Sequence, residues 1–189
     1  MTFPASGPFG TQLADIWHRQ GYRSVCSIIQ MLDESRPERH ARRQSHCPPE
    51  WVDTTATFFI TINCKQRGTN QLARDAVAQG LFEAIGFYHQ SHRWQVDLAL
   101  VMPDHLHALM SFRWDPGNGM MNLVRNWKRH TARQLGIVWQ RDYFDHRIRS
   151  ENDFQSTWFY IQENPVRAGL AGHFEEWTFV WRPEHGIGW

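Results

Sequence analysis

The sequence predicts an α+β fold in which an antiparallel sheet carries helices packed on its faces. Short segments rich in β-branched and aromatic residues alternate with longer segments whose apolar residues recur at helical spacing. Two apolar segments, over 94–102 and 105–112, are separated only by Pro103-Asp104, which is typical of a turn, so they predict a hairpin. Apolar residues make up 41% of the 189-residue chain, which is enough to bury a core.

The first half of the predicted fold, over 57–112, is expected to contain three strands and one helix. A strand over 57–64 is rich in β-branched and aromatic residues, and a helix over 71–91 has apolar residues spaced to bury one face. The strand over 94–102 is predicted to present its apolar residues on a common face: Val96, Leu98 and Leu100. The hairpin then returns over 105–112.

The second half is predicted to contain two helices around a short strand. The first helix covers 120–135 and ends at Gly136, because glycine readily adopts the left-handed conformation that ends helices. The short strand covers 144–148. The last helix runs over 151–163, with Ser150 as its N-cap, and it is predicted to end before Pro165.

Residues 1–53 are predicted to be an N-terminal extension, partly helical or loose, in front of one domain over 54–189. The chain contains no apolar run long enough to span a membrane and no secretory signal. Three widely spaced cysteines predict no disulfide framework and a reducing compartment, so a cytoplasmic protein is expected: Cys26, Cys47 and Cys64.

The most informative motif is His105-Leu106-His107. Side chains two residues apart on a strand point to the same side, so both imidazoles are expected to face one surface and to be close enough to share a metal ion. The apolar residues around them predict a buried and rigid strand, which suits ligands that must not move. By itself the pair is equally compatible with two structural histidines that only form hydrogen bonds.

The last predicted helix carries Tyr160 and Asn164, which share one face because they are four residues apart. A phenol and an amide oxygen placed in this way could both reach a metal held by the two histidines. The alternatives are a buried Tyr160 with a structural role and a nucleophile elsewhere, at Tyr143. Aromatic neighbours of Tyr143 favour a packing role for that residue.

Three segments together resemble the REP-associated tyrosine transposases, which are HUH-type single-tyrosine transposases. The family's histidine, hydrophobic residue, histidine motif is matched by His105-Leu106-His107. Its tyrosine helix, Tyr-Ile-x-x-Asn-Pro-Val with a later Gly, is matched over 160–166 and at Gly169. The segment over 138–149 is also similar, and the resemblance covers about residues 57–181.

The resemblance implies a ferredoxin-like or RRM-like HUH endonuclease core and a metal-dependent reaction on DNA. Tyr160 would be the nucleophile and would form a 5′-phosphotyrosine, while His105, His107 and Asn164 would bind Mg²⁺ or Mn²⁺. Asp104 either orients a metal-binding histidine through a hydrogen bond or serves only as a turn residue.

The charge distribution is compatible with a DNA partner although the net charge is only +1. Residues 113–149 contain eight basic and three acidic residues, and the chain has many more arginines than lysines, which suits phosphate contacts. Solvated surface charge is the alternative. The candidate DNA-binding residues are Arg125, Lys128, Arg129, Arg133, Arg147 and Arg149. Trp114 and Trp127 are candidates for stacking on bases, although tryptophan is more often buried.

The expected function is therefore that of a single-strand DNA endonuclease and strand transferase acting on hairpin-containing DNA, such as a REP element. The alternatives are an HUH-superfamily nicking enzyme with another role, and a non-catalytic regulator that binds hairpin DNA. The resemblance favours a monomer over a homodimer, and a cytoplasmic, nucleoid-associated protein with no membrane partner.

Overall fold

A computed structural model describes residues 56–113 and 119–183, and it confirms the α+β class. The predicted N-terminal extension over 1–53 and Trp114 lie outside the described residues. Within the described part, no helix combines the length and the apolar character that crossing a membrane requires. The elements are β1 (Thr57–Asn63), α1 (Asp75–Gln90), β2 (Trp94–Val101), β3 (His105–Phe112), α2 (Met120–Leu135), β4 (Phe144–Arg147), α3 (Glu151–Arg167), a 3₁₀ turn (Phe174–Glu176) and β5 (Val180–Trp181).

Five strands form one sheet in the order β4-β1-β3-β2-β5, and every pairing is antiparallel. The predicted hairpin is confirmed, because β2 and β3 pair directly. Strand β3 lies at the centre of the sheet, with β1 on one side and β2 on the other. Its backbone is therefore hydrogen-bonded along both edges, which makes it a rigid support for side chains.

One face of the sheet packs against α1 and α2. Alternate residues of β1 and β3 point to this face, and they form a core with large buried side chains from the two helices. The core members contributed by the strands and by α2 include Ile60, Leu106, Ala108, Val124 and Trp127. Burial of this apolar surface is the main contribution that holds the two helices on the sheet.

The opposite face packs against α3. Phe59 and Leu109 are buried there and alternate with the core residues of the first face. Ile161 of α3 is fully buried against this side. Because His105 and His107 alternate with core residues Leu106 and Ala108, they also lie on the α3 face.

The predicted common face of Val96, Leu98 and Leu100 in β2 is wrong. Val96 pairs with Met110 but Leu98 pairs with Leu109, so Asp97 is an extra residue on β2. Such a bulge shifts the alternation of the strand by one position. Val96 therefore faces α1 and α2, whereas Leu98 and Leu100 face α3.

The predicted end of the last helix before Pro165 is also wrong, because α3 continues to Arg167. The chain leaves the helix at Gly169, two residues after Arg167, where φ is 67°. The amide of Leu170 donates to the carbonyl of Pro165, and the amide of Gly169 donates to that of Val166. This is the Schellman arrangement, which satisfies the last carbonyls of a helix. Pro165 is tolerated in the final turn, where it is buried.

Two other predicted helix boundaries are confirmed, at Ser150 and at Gly136, whereas α1 begins at Asp75 rather than at residue 71. The side chain of Ser150 accepts a hydrogen bond from the amide of Asp153 at 3.2 Å and caps the start of α3. Gly136 has a φ of 68° directly after α2. A β-carbon at this angle would be strained, so glycine is the residue that ends α2 with little cost.

Candidate active site

Strand β3 presents both histidines of the motif on the α3 face, as the strand alternation predicts. The ring centroids of His105 and His107 are 4.7 Å apart, with an interplanar angle of 81°. His107 is buried and His105 is partly exposed. The two rings therefore form an edge-to-face pair at the centre of the sheet.

Each histidine uses its Nδ1 atom for a hydrogen bond to a neighbouring side chain. Nδ1 of His105 lies 2.6 Å from Oδ1 of Asp104, and Nδ1 of His107 lies 2.9 Å from Oγ1 of Thr61. Thr61 is placed there by the antiparallel register, which pairs it with His107 across β1 and β3. When one imidazole nitrogen is held in this way, the other is available as a ligand, so both Nε2 atoms are the candidate metal donors.

His107 is kept neutral by its surroundings. Burial lowers the pKa of His107 well below its usual value, and the neighbouring His105 and Arg67 lower it further. Its Nε2 atom is buried and has no hydrogen-bond partner among the described residues. A neutral imidazole with a free lone pair is the form that binds a divalent cation.

Helix α3 brings Tyr160 to the histidines. The ring centroids of Tyr160 and His107 are 5.9 Å apart, and Tyr160 also contacts Phe59 at 5.9 Å. The guanidinium of Arg167 lies 5.2 Å from the centroid of the Tyr160 ring. Tyr143 packs instead against the core on the side of α1 and α2. Of the two tyrosines weighed from the sequence, Tyr160 is the one beside the histidine pair.

Asn164 lies one turn after Tyr160, and its amide group has a defined orientation. Nδ2 of Asn164 donates to the backbone carbonyl of Tyr160 at 2.7 Å. A backbone carbonyl can only accept a hydrogen bond, so the NH₂ group of Asn164 must face it. Oδ1 of Asn164 takes no part in this hydrogen bond and is left available. The side chain interacts with His107 and raises the pKa of that residue, although it makes no standard hydrogen bond with Nε2.

Asp104 is more than a turn residue, because three groups converge on its carboxylate. His105 contacts Oδ1, while the amide of Gly68 donates to Oδ2 at 2.6 Å and Nε of Arg67 lies 3.3 Å from the same oxygen. The hydrogen bond with His105, supported by Gly68 and Arg67, lowers the pKa of Asp104 to about 2. The ionised carboxylate therefore orients His105.

Sequence reasoning missed three residues of this site: Thr61, Arg67 and Arg167. No local signal marks Thr61 or Arg67, because they reach the histidines only through the strand register and the loop after β1. Arg167 did have a signal. It lies seven residues after Tyr160 and therefore on the same helical face, but the helix was predicted to end too early.

The basic residues predicted to bind DNA are not gathered around the histidines. Three of them form an exposed stripe at four-residue spacing on α2: Arg125, Arg129 and Arg133. Helix α2 packs on the face of the sheet opposite to the histidine pair. A DNA molecule that contacts this stripe and the histidines must therefore extend around the edge of the domain.

The two arginines near β4 have different positions. Arg147 pairs with Phe58, so it lies on the side of the sheet that packs α1 and α2. Arg149 is exposed between β4 and α3. The structure therefore leaves Arg149 accessible to a partner and places Arg147 away from the histidine face.

Lys128 does not fit the predicted role of a phosphate contact. Its side chain is buried, and Nζ donates to the backbone carbonyls of Gln140, Arg141 and Asp142 at 2.7, 2.9 and 3.2 Å. Burial lowers the pKa of Lys128 to about 8, while Asp142 opposes this effect. The ammonium group holds the loop before β4 against α2.

We expect Lys128→Met to lower the free energy of unfolding by about 2–4 kcal/mol, because the three carbonyls would lose a shared donor. Urea unfolding followed by circular dichroism measures this change. The matched control is Arg129→Met, at the next and exposed position, which should change stability by no more than about 0.5 kcal/mol. Equal stability of the two variants would contradict the structural role of Lys128.

Of the two tryptophans considered for base stacking, Trp127 is fully buried. It contacts Trp94 and Trp139 in the core, with ring centroids 6.2 and 5.7 Å apart. Trp127 is therefore a core residue, as the usual fate of tryptophan suggests.

The donors at this site fit a divalent cation held by an open coordination shell. They are Nε2 of His105, the partnerless Nε2 of His107 and the amide oxygen of Asn164. Among the described residues, no group of three or more histidine, cysteine or acidic side chains is placed to hold a metal ion, so the set depends on the amide oxygen of Asn164. A set of two nitrogens and one oxygen leaves positions for water and substrate.

A central antiparallel strand carries the histidine pair, and a following helix brings a tyrosine beside it, which is the arrangement that the sequence predicts. No protein-family model matches the chain. A curated REP-associated tyrosine transposase from Escherichia coli strain K12 is 26% identical over 128 residues, which cover 65% of this chain and 74% of the relative.

A solved structure of a REP-associated tyrosine transposase bound to a REP hairpin matches the fold with a TM-score of 0.60. It is 23% identical, and the match covers 70% of this chain and 80% of the other. Together these comparisons confirm the predicted resemblance to REP-associated tyrosine transposases.

Proposed function

We propose that the protein is a transposase-type enzyme that cuts and rejoins single-stranded, hairpin-containing DNA through a covalent link to Tyr160. Similarity to a protein named as a tyrosine transposase supports the enzyme class, since such proteins cleave and join DNA. The observation that carries the finer proposal is the contact between the Tyr160 and His107 rings within one chain, 5.9 Å between centroids.

The proposed cation is Mg²⁺ or Mn²⁺, held by His105, His107 and Asn164. When bound, such a cation neutralises charge on a non-bridging phosphate oxygen and orients the phosphate for attack. Imidazole ligands suit Mn²⁺ better than Mg²⁺, so both ions belong in any test. The Asp104 carboxylate can only accept, so it favours the His105 tautomer whose Nε2 would be free to bind the cation, while the Thr61 hydroxyl orients the His107 ring.

Tyr160 is the proposed nucleophile. Its phenolic oxygen forms a bond to the scissile phosphorus, the bond from phosphorus to the 3′ oxygen breaks, and that oxygen leaves with a proton as a free 3′-hydroxyl. The product is a 5′-phosphotyrosine, and attack by a 3′-hydroxyl reverses the step and seals a strand. Arg167 places positive charge over the Tyr160 ring, which favours the negative charge on the attacking oxygen.

A hairpin with an unpaired flank is the proposed substrate, and a monomer is the proposed active form. The solved relative is described as bound to a REP hairpin, which supports the first point. The second is supported by the contact between Tyr160 and His107 in a single chain, because no helix exchange between subunits is needed to complete the site.

The decisive experiment incubates the protein with end-labelled single strands that form hairpins, in the presence of Mg²⁺ or Mn²⁺. We expect a labelled product that remains attached to the protein on a denaturing gel and disappears when EDTA is added. A strand of the same composition that cannot form a hairpin is the control.

The same experiment separates the two alternative functions. Tight hairpin binding without a covalent product would favour a DNA-binding regulator. Covalent cleavage of the control strand as well as of the hairpin would favour an HUH nicking enzyme with a different role.

We expect Asp104→Asn to weaken Mn²⁺ binding by about 10–100-fold, because the neutral amide no longer orients His105 through a charged hydrogen bond. Isothermal titration with Mn²⁺ in the absence of DNA measures this loss. Asp75→Asn, an exposed change in the first turn of α1, is the matched control and should bind Mn²⁺ like the wild type. Unchanged affinity in Asp104→Asn would contradict the orienting role.

A further inference from the structure

Arg67 lies beside the histidine pair, and its guanidinium is held in a fixed position. It follows β1, and Nη1 donates to Oδ1 of Asn63 while Nε contacts Oδ2 of Asp104 at 3.3 Å. Asn63 pairs with His105 in the register of β1 and β3, so the guanidinium lies at the end of the histidine face. One contact comes from the end of β1 and the other from the turn before β3, and together they fix the plane of the group.

Most of the hydrogen-bonding capacity of Arg67 is unused. A guanidinium has five N–H donors, and the contacts with Asn63 and Asp104 use two of them. The other three have no partner among the described residues. The Arg67 side chain is 41% exposed, whereas that of Asp104 beneath it is 11% exposed. Its free donors therefore point toward the surface at the edge of the site.

A second line of support is electrostatic. The positive charge of Arg67 is close enough to lower the pKa values of both Asp104 and His107. The field of Arg67 therefore reaches the histidine pair. An arginine fork of this kind binds phosphate oxygens in a planar, two-point manner, and a side chain already held in place loses little conformational entropy on binding.

We propose that Arg67 is a phosphate-binding residue of this site, which uses its free N–H donors to contact the DNA phosphate that lies over the His105 and His107 pair. The inference rests on the proposed function, since it names the group that receives the substrate at the same site. The proposed contact joins the Arg67 guanidinium directly to the DNA phosphate and does not require the cation.

The test measures DNA binding without cleavage, in a Tyr160→Phe background and in EDTA. We expect Arg67→Ala to weaken binding of the hairpin strand by about ten-fold and to reduce the slope of log affinity against log salt by about 0.7, as for loss of one phosphate contact on a single strand. Arg67→Lys should lose less affinity, because the charge remains but the fork does not.

The contact is located with strands in which one phosphate at a time is replaced by a neutral methylphosphonate. When the phosphate that Arg67 contacts is neutral, Arg67→Ala should weaken DNA binding by less than about two-fold, because the contact is already lost. When any other phosphate is neutral, Arg67→Ala should still weaken binding by about ten-fold. Wild-type cleavage, where it occurs, should map to that phosphate. The matched control is Arg74→Ala, since the Arg74 side chain is bonded to the carbonyl of Gln71.

Two results would overturn the proposal. One is equal DNA affinity of Arg67→Ala and the parent protein in EDTA, with Arg67→Ala changing only Mn²⁺ binding, which would reduce Arg67 to a support of Asp104. The other is a loss of DNA affinity in Arg67→Ala that is the same whichever phosphate is replaced by a methylphosphonate. Failure of the proposed cleavage reaction is distinguishable, because it would remove the covalent product of the wild type while the methylphosphonate coupling persists.

Discussion

We expect Tyr160→Phe to abolish the covalent protein–DNA product and to lower strand cleavage by about 10³-fold or more, because the substitution removes the proposed attacking oxygen. The phenyl ring retains the contacts with Phe59 and His107, so folding and hairpin binding should remain within about two-fold of the wild type. Denaturing gels with labelled hairpin strands measure the product, and filter binding in EDTA measures affinity.

The matched control is Tyr143→Phe, which removes a phenolic oxygen on the other side of the sheet. It should cleave at the wild-type rate. Retained cleavage in Tyr160→Phe, or loss of cleavage in Tyr143→Phe with intact folding, would move the nucleophile away from α3.

His105→Ala is the second substitution with a large expected effect. It removes one of two nitrogen donors, so cation-dependent cleavage should fall by about 10³-fold, and Mn²⁺ binding should become too weak to measure by titration. Hairpin binding in EDTA should be unchanged, because that measurement does not depend on the cation. Wild-type protein in EDTA should reproduce the cleavage defect of the variant.

His130→Ala serves as the control for a histidine without a site role, since His130 is exposed on α2. It should retain both Mn²⁺ affinity and cleavage. A His105→Ala variant that still cleaves in Mn²⁺ would show that the histidine pair is structural, which is the alternative that the motif alone leaves open.

Most secondary structure could be predicted from local patterns, and the errors in β2 and α3 have local causes. In β2, the bulge at Asp97 moves Leu98 and Leu100 to the face opposite Val96, and a bulge is invisible to a rule of strict alternation. In α3, the sequence predicts a helix end before Pro165, but the helix continues to Arg167 and closes with Schellman hydrogen bonds at Gly169.

The basic residues predicted to bind DNA show the limit of counting charges along a sequence. Lys128 shares a helix with Arg125 and Arg129, and in the sequence it differs from them only by its position relative to the apolar stripe. In the fold its ammonium group is occupied by three carbonyls of a distant loop. Charge along a segment therefore does not determine which side chains remain available to a phosphate.

The sequence by itself determined the α+β class, the face shared by His105 and His107, and the stripe that joins Tyr160 to Asn164, because these depend on spacing between neighbours in a strand or a helix. Only the tertiary structure decided which groups hold the histidines and which arginine lies beside them. Thr61 and His107 are 46 residues apart, and Gly68 and Asp104 are 36 apart, so their contacts exist only through strand register and loop closure. Such contacts arise from packing across the whole domain, and no short-range pattern encodes them.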